Sequence, residues 1–386
     1  MIGRSLNPIN SKSFFLFGAR GTGKSTFLRT LFADEGAEFI DLLDLGLQDE
    51  FTHDPMRFKA RVLSAIEQEK TTIVVDEIQK MPRLLDSVHQ LIESHKIQFA
   101  LTGSSARRLK QKGTNLLAGR ALVYELFPFT HRELGDSFDL DRALNRGTMP
   151  DSYLADSDDS SNEYLRSYAL TYLEKEIQQE QWVRKLANFS RFLPVCAQMN
   201  GAVINRSAIA RDVGVDDMTV ALYFEILEDT LMGFRLPAFH RSVRKQQRLG
   251  HKFYLFDPGI KRALERSLKS VLVPGTTAYG NAFEHWLVLE IYRLSRYQRD
   301  DWQFSFMRTR DDVEIDLVVE RPGAPLLLIE IKSKTKVSAG DAKSLELLGA
   351  DLDKHAEKLL ISQDVVGQRF GTTQALHWRE ALEKLF

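Results

Sequence analysis

Phe14-Phe-Leu-Phe-Gly18-Ala-Arg-Gly-Thr-Gly23-Lys24-Ser25-Thr-Phe-Leu28 decides the fold of this chain. Phe14 to Phe17 read as a strand, a glycine-rich turn follows, and Thr26 to Phe32 has the amphipathic spacing of a helix. Gly-x-x-x-x-Gly-Lys-Ser between a strand and a helix cradles phosphate. The glycines let backbone N–H groups approach the oxygens, and the helix N-terminus adds its dipole. The candidate nucleotide contacts are Gly18, Ala19, Arg20, Gly21, Thr22, Gly23, Lys24, Ser25 and Thr26. Lys24 would neutralise the β and γ oxygens of ATP, and the Ser25 hydroxyl would ligate Mg2+.

Working outward, short apolar runs alternate with helical stretches as far as residue 150: Phe39 to Leu42, Ile73 to Val75, Phe99 to Leu101 and Leu122 to Leu126. That alternation predicts a parallel sheet covered on both faces. Ile73-Val-Val-Asp76-Glu77 supplies the acidic partner of the loop, with Asp76 holding the metal through water and Glu77 as general base. The strand Gln98 to Thr102 ends at Gly103-Ser104-Ser105, where Ser104 would sense the γ-phosphate or simply cap the next helix. Gly119-Arg120 is the candidate for an arginine reaching a neighbouring subunit's nucleotide. Arg20, Arg107 and Arg108 compete for that role, and a surface ion pair is the alternative for each.

At 386 residues the chain is long enough for two or three domains. Hydrophobic residues are 43% of it and charged residues 27%. Since no apolar run approaches the roughly 18 residues that span a bilayer, a globular chain without membrane contact is expected. Cys196 is the one cysteine, which excludes an internal disulfide framework and a cysteine-based zinc site. The N-terminus lacks a secretory layout, so a cytoplasmic location is expected. The net charge of −1 announces no nucleic-acid partner, and any such surface must be local.

Asp156-Ser-Asp-Asp-Ser-Ser-Asn162 has no apolar anchor and is expected to be a linker or exposed loop. Beyond it, Ala208 to Val213 and Met218 to Leu231 read as a helix-turn-helix, capped by Ser207 and Asp216 and broken at Gly214. Phe234 to Phe256 then reads as a winged hairpin. The second helix begins Asp216-Asp217 and carries Glu225, Glu228 and Asp229, so it is acidic where DNA phosphates would lie. Basic charge follows in Arg235, Arg241, Arg244, Lys245, Arg248 and Lys252, which would grip phosphates without sequence preference or serve a domain or subunit contact.

After Tyr279 a helix carries Glu284, a strand carries Glu314-Ile-Asp316, and the next strand carries Glu330-Ile-Lys332. Alternation puts Glu330 and Lys332 on one face, and the turn Arg321 to Pro325 lets a hairpin bring Asp316 beside them. Carboxylates grouped this way suit Mg2+, and Glu284, Asp316 and Glu330 are the candidate ligands. With Lys332 the set has the form of a PD-(D/E)XK nuclease site, in which the metal activates water against a phosphodiester. The alternative is an inactive fold in which Lys332 pairs with Glu330.

Taken with Val75-Asp-Glu-Ile-Gln79, Leu101-Thr-Gly-Ser-Ser105, Glu125-Leu-Phe-Pro-Phe129, Ile209 to Gly214, Tyr223 to Asp229, Tyr254-Leu-Phe-Asp257 and Phe283-Glu284, these motifs cover essentially the full length. The chain resembles a prokaryotic AAA-type ATPase family in which the P-loop module is fused to a winged helix and a restriction-endonuclease-like C-terminal domain. That resemblance implies an α/β fold in three parts. These are a parallel-sheet P-loop domain at 1–155, a helical and winged-helix domain at 163–275, and a nuclease-like α/β domain at 276–386. It also implies ATP and Mg2+ binding and homo-oligomer assembly. The residues themselves add the expectation of ATP-gated action on nucleic acid, with DNA as the expected partner. The competing reading is a non-cleaving ATPase switch.

Overall fold

The computed structural model describes residues 2–386 apart from 10, 34–35, 105–116, 118, 173–185, 241–249, 310 and 312. The chain folds into two compact units, Met1–Phe129 with Ile226–Met232, and Thr130–Glu225 with Gly233–Phe386.

Five strands build the first unit: β1 (Ser13–Phe17), β2 (Glu38–Asp41), β3 (Thr72–Asp76), β4 (Gln98–Gly103) and β5 (Ala121–Glu125). They pair in the order β2-β3-β4-β1-β5, all parallel. Every residue of β1 is buried, as a sheet covered on both faces requires. Helices Met56–Glu67 and Leu84–His95 bury Phe58, Val62, Leu84, Val88 and Leu91 in one cluster with Phe15, Ile73, Val75 and Phe99. Leu231, from the segment that returns to this unit, packs against the same cluster.

The second unit begins with short helices, His131–Leu134, Leu140–Arg146 and Pro150–Tyr153, and continues through the longer Asp158–Ser167 and Leu186–Gln198. Asp158–Ser167 overturns the linker expected at 156–162. Ser157 caps it by accepting from the Ser160 N–H, Asp158 and Asp159 oppose the helix dipole in the first turn, and Ser161 and Leu165 are buried. A polar stretch with a cap and first-turn acids is a helix start as readily as a loop.

The helix pair is present as Arg206–Val213 and Asp217–Asp229, with Gly214 at φ 76° between them. Its first cap is Asn205 rather than Ser207. The Asn205 side chain accepts from the Ala208 N–H, while the Ser207 hydroxyl donates to Asp217 at 2.6 Å. The hairpin is β6 (Gly233–Pro237) against β7 (His251–Leu255).

The six-stranded sheet comprises β8 (Gln303–Arg308), β9 (Glu314–Glu320), β10 (Leu327–Ile331), β11 (Glu357–Ser362), β12 (Gln368–Phe370) and β13 (Thr373–His377). Their order is β12-β13-β11-β10-β9-β8, mixed parallel and antiparallel. Helix Thr277–Gln298 precedes it, and Lys343–Leu352 packs on it through Leu345. Just past β6, Ala238 bridges to Phe306 of β8, and the Phe239 N–H donates to the Phe306 carbonyl at 2.6 Å. The hairpin is thereby joined to the sheet's edge strand.

Two residues of the expected basic wing are described. Arg235 lies on β6, but Lys252 is buried and paired with Glu314 at 2.5 Å, so it is not a phosphate contact. Lys252 to Leu255 of β7 are all buried, so both faces of that strand are covered and Lys252 has no solvent face to offer a phosphate. Arg241, Arg244, Lys245 and Arg248 lie outside the described residues.

Candidate nucleotide site and carboxylate cluster

In the first unit, β1 delivers the loop Gly18 to Ser25 and helix Lys24–Leu31 continues it. Gly21 and Gly23 adopt φ of 78° and 89°, a region that L side chains rarely enter. Gly18 is required for closeness. A Cβ there would lie 2.5 Å from the Leu126 carbonyl oxygen and 2.9 Å from the Thr22 hydroxyl. The Thr22 hydroxyl donates to the Ala19 carbonyl at 2.9 Å, and the Lys24 ammonium donates to the carbonyls of Gly18 and Ala19 at 2.8 and 3.2 Å. Ala19 is buried, while Arg20 and Thr26 are exposed.

Arg4 was not singled out in the sequence. Its guanidinium donates to the Thr22 carbonyl at 3.0 Å and to the Phe127 carbonyl, and it stacks over Phe129 at 4.8 Å. It braces the loop from behind. A lone arginine that far upstream of the motif carries no pattern that marks it.

Strand β3 carries the acidic pair to the loop. The Ser25 hydroxyl donates to Asp76 Oδ2 at 2.5 Å, and the Thr102 hydroxyl donates to Asp76 Oδ1. These oxygens fit Mg2+, a hard cation that prefers oxygen donors. Glu77 sits at φ 59°, left-handed for a residue that is not glycine, and its N–H donates to the Thr102 hydroxyl at 3.0 Å. Such a conformation costs roughly 1–3 kcal/mol and persists where surrounding structure imposes it. The Gln79 amide donates to the Glu77 carboxylate and, at 3.2 Å, to the Ser104 hydroxyl. Ser104 therefore stands in the same polar group as the acidic pair, whereas Ser105, Arg107 and Arg108 lie outside the described residues. Arg120 pairs with Glu93, whose carboxyl it holds below the usual range through a hydrogen bond and its charge.

In the second unit, the β9–β10 hairpin brings Asp316 beside Glu330 as its alternation demands. The register Ile329 opposite Leu317 places them next in line, and the Ile331 N–H donates to Asp316 Oδ2 at 2.7 Å. The Lys332 ammonium donates to Glu330 Oε1 at 2.5 Å, while Glu330 Oε2 is buried with no hydrogen-bond partner. Burial pushes the Asp316 carboxyl well up, reinforced by the negative charges of Glu284 and Glu330 and opposed by Lys332 and Lys252. Glu330 is also raised by burial, against the pull of Lys332.

Helix Thr277–Gln298 supplies Glu284, and strand β7 supplies two residues outside the expected set. The Tyr254 hydroxyl donates to Glu284 at 2.8 Å, and the Lys252 ammonium lies 3.7 Å from Glu284 and 2.5 Å from Glu314. Burial alone would lower the Lys252 pKa, but Glu284, Glu314 and Asp316 together raise it. The cluster is thus four carboxylates answered by two lysines. Among the described residues no group of three or more His, Cys, Asp or Glu side chains is placed to hold a metal ion.

Residues 10–135 match the family described as AAA domain, residues 137–270 a domain of unknown function (DUF8612), and residues 279–380 a domain of unknown function (DUF4143). The N-terminal module is an AAA-type P-loop domain on a five-stranded parallel sheet, followed at the C-terminus by a DUF4143 domain. An uncharacterized protein of Mycobacterium tuberculosis (strain ATCC 25618 / H37Rv) is 27% identical over 255 residues, 66% of this chain and 57% of its own length. An uncharacterized protein of Haemophilus influenzae is 21% identical over 300 residues, covering 72% of this chain and 73% of its own. The chain therefore spans just over half the length of the mycobacterial relative. AMPPCP-bound DnaA from Aquifex aeolicus superposes on 56% of this chain and 82% of its own, with 11% identity and a TM-score of 0.28. No helix among the described residues is long and apolar enough to cross a membrane.

Proposed function

We propose that the protein binds and hydrolyses ATP at the loop Gly18 to Ser25 and uses that cycle to control its C-terminal domain. The observation that carries this reading is the 2.5 Å contact between the Ser25 hydroxyl and Asp76, which joins the phosphate loop to the acidic strand end. Bound Mg2+ would offset phosphate charge there, with Ser25 and Asp76 as its protein oxygens. Backbone N–H groups of Gly21 to Ser25 would hold the phosphates, Lys24 would turn from its loop carbonyls to the β and γ oxygens, and Glu77 would take the proton of the attacking water. Labelled-ATP retention and phosphate release test the scheme. Lys24→Ala is expected to abolish retention, and Glu77→Gln to keep it while lowering turnover at least about 100-fold. Retention by Lys24→Ala equal to that of the parent protein sinks the reading.

For the C-terminal domain, the reading is a Mg2+-dependent site of the PD-(D/E)XK kind. It would draw on Asp316, Glu330 and Lys332 with Glu284 at its border, carboxylates that would have to close around the ion from where they stand, and would act on nucleic acid without sequence preference. The unpartnered Glu330 Oε2 supports it. The division into 1–155, 163–275 and 276–386, the winged-helix character of the helix pair and hairpin, homo-oligomer assembly with Arg120 acting in trans, and a cytoplasmic setting belong to the same proposal.

A second reading rests on Lys252. By pairing with Glu284 and Glu314 it satisfies the cluster from within, as expected of a scaffold that does not cleave. Plasmid cleavage with Mg2+ and ATP separates the two. Cutting that Lys332→Ala abolishes selects the nuclease. Intact plasmid, with no Mg2+ bound to an Asp316-dependent site, selects the scaffold.

A further inference from the structure

Arg262 is a charged side chain set into the second unit, where burial lowers its pKa against the pull of Glu265 and its hydrogen bonds all go to neutral oxygens. It lies on helix Pro258–Leu264 and is 4% exposed. Its Nη1 donates to Asn145 Oδ1 at 3.1 Å, and its Nη2 reaches the carbonyls of Ser267, Leu268 and Ser270 at 2.9, 3.4 and 2.5 Å. All four acceptors are neutral, and Nε is buried with no partner. Glu265, the acid whose charge acts on Arg262, is already engaged by Lys261 at 2.7 Å and by the Ser267 hydroxyl at 2.7 Å. A guanidinium in a low-dielectric interior is costly unless an anion answers it, and its planar fork suits a carboxylate or phosphate.

Arg262 lines a cavity of about 310 Å³, at the lower end of the roughly 300–1,000 Å³ of small-molecule sites. Lys261, Glu265, Ser270, Asn281 and His285 line it with Arg262. His285 donates from Nε2 to the Leu255 carbonyl at 2.7 Å, and burial lowers its pKa to about 3, so the ring is neutral. That tautomer leaves Nδ1 as a hydrogen-bond acceptor. The lining therefore offers the positive charge of Arg262, a Lys261–Glu265 pair whose charges cancel, and an acceptor suited to a hydroxyl.

We propose that this cavity binds a small hydroxylated oxyanion, a sugar phosphate or a hydroxy acid, with Arg262 as its charge partner. The site is separate from the phosphate loop and from the Asp316 cluster. It uses a residue that neither the ATPase nor the nuclease reading requires.

Titration calorimetry on the full chain tests it, with ribose 5-phosphate and malate as probes and Lys24→Ala as background so that the phosphate loop does not report. One equivalent of either probe is expected to bind, and which one binds separates phosphate from carboxylate recognition. Arg262→Gln is expected to weaken binding about tenfold or more, the size of a charge-assisted hydrogen bond. Asn281→Asp changes an exposed residue at the same cavity and adds repulsion with little demand on folding, so it gives the same readout if Arg262→Gln fails to fold. Heat from neither probe, or unchanged affinity in Asn281→Asp, overturns the proposal.

Discussion

Gly18 shows how closely single residues are fixed at the nucleotide site. A methyl group there meets the Leu126 backbone, which cannot rotate away as a side chain would. Gly18→Ala is expected to cost about 1–3 kcal/mol, the range for forced overpacking, and to reduce ATP retention at least about tenfold. Thermal melts and filter binding check both. Asp316 is fixed for the opposite reason, since its ionised form is disfavoured where it stands. A carboxyl whose folded pKa lies above its unfolded value holds its proton more tightly in the native state. Stability is then full below the unfolded value, about 3.9 for aspartate, and is lost as pH rises toward the folded value. Asp316→Asn keeps an acceptor for the Ile331 N–H and removes the charge. It is expected to raise the melting temperature at pH 7–8 by about 2–4 °C, with the gain vanishing below about pH 4. A melting temperature unchanged at pH 8 contradicts that account.

At the scale of elements, the pair of buried Lys252 on β7 and half-buried Glu314 on β9 ties the hairpin to the six-stranded sheet. Lys252→Ala takes the buried cation from Glu284 and Glu314, leaving Glu314 only Arg308 at 3.9 Å, and is expected to cost about 3 kcal/mol, read as a shift in the urea midpoint. An effect under about 1 kcal/mol would mean that solvent screens the pair. The elements also show what a sequence discloses. Strands β1 to β5 and the phosphate loop were legible because their signals are local: apolar runs of three to five residues, and a motif within eight. Asp316, Glu330 and Lys332 were legible because alternation on a hairpin follows from spacing alone. Strands β8, β12 and β13 were not read, being short or partly polar at the sheet's margins. The role of Lys252 stays open in the sequence, between a phosphate contact and a domain or subunit contact, because its partners lie 32 and 62 residues away, a pairing that only the fold creates. Arg4 and Arg262 escaped for the same reason, since their meaning is a buried position and no pattern announces it.

At the scale of the whole molecule, ATP bound only to the native first unit should protect that unit by mass action. At a concentration about 100 times Kd the gain is about 2.7 kcal/mol. Scanning calorimetry with and without ATP and Mg2+ is expected to move one transition upward and leave another in place. A single transition that does not move would speak against nucleotide binding. The first unit is also not a continuous length of chain, because Ile226–Met232 belongs to it and brings Leu231 to its apolar cluster. The AAA domain match ends at 135, yet the body it describes is completed by seven residues almost a hundred positions later. A ribosome that has released residue 135 has not finished the module. Its last piece arrives only after much of the second unit has been synthesised, so the N-terminal module completes its folding late, and cutting the gene at the sequence boundary would deliver it with one seam open.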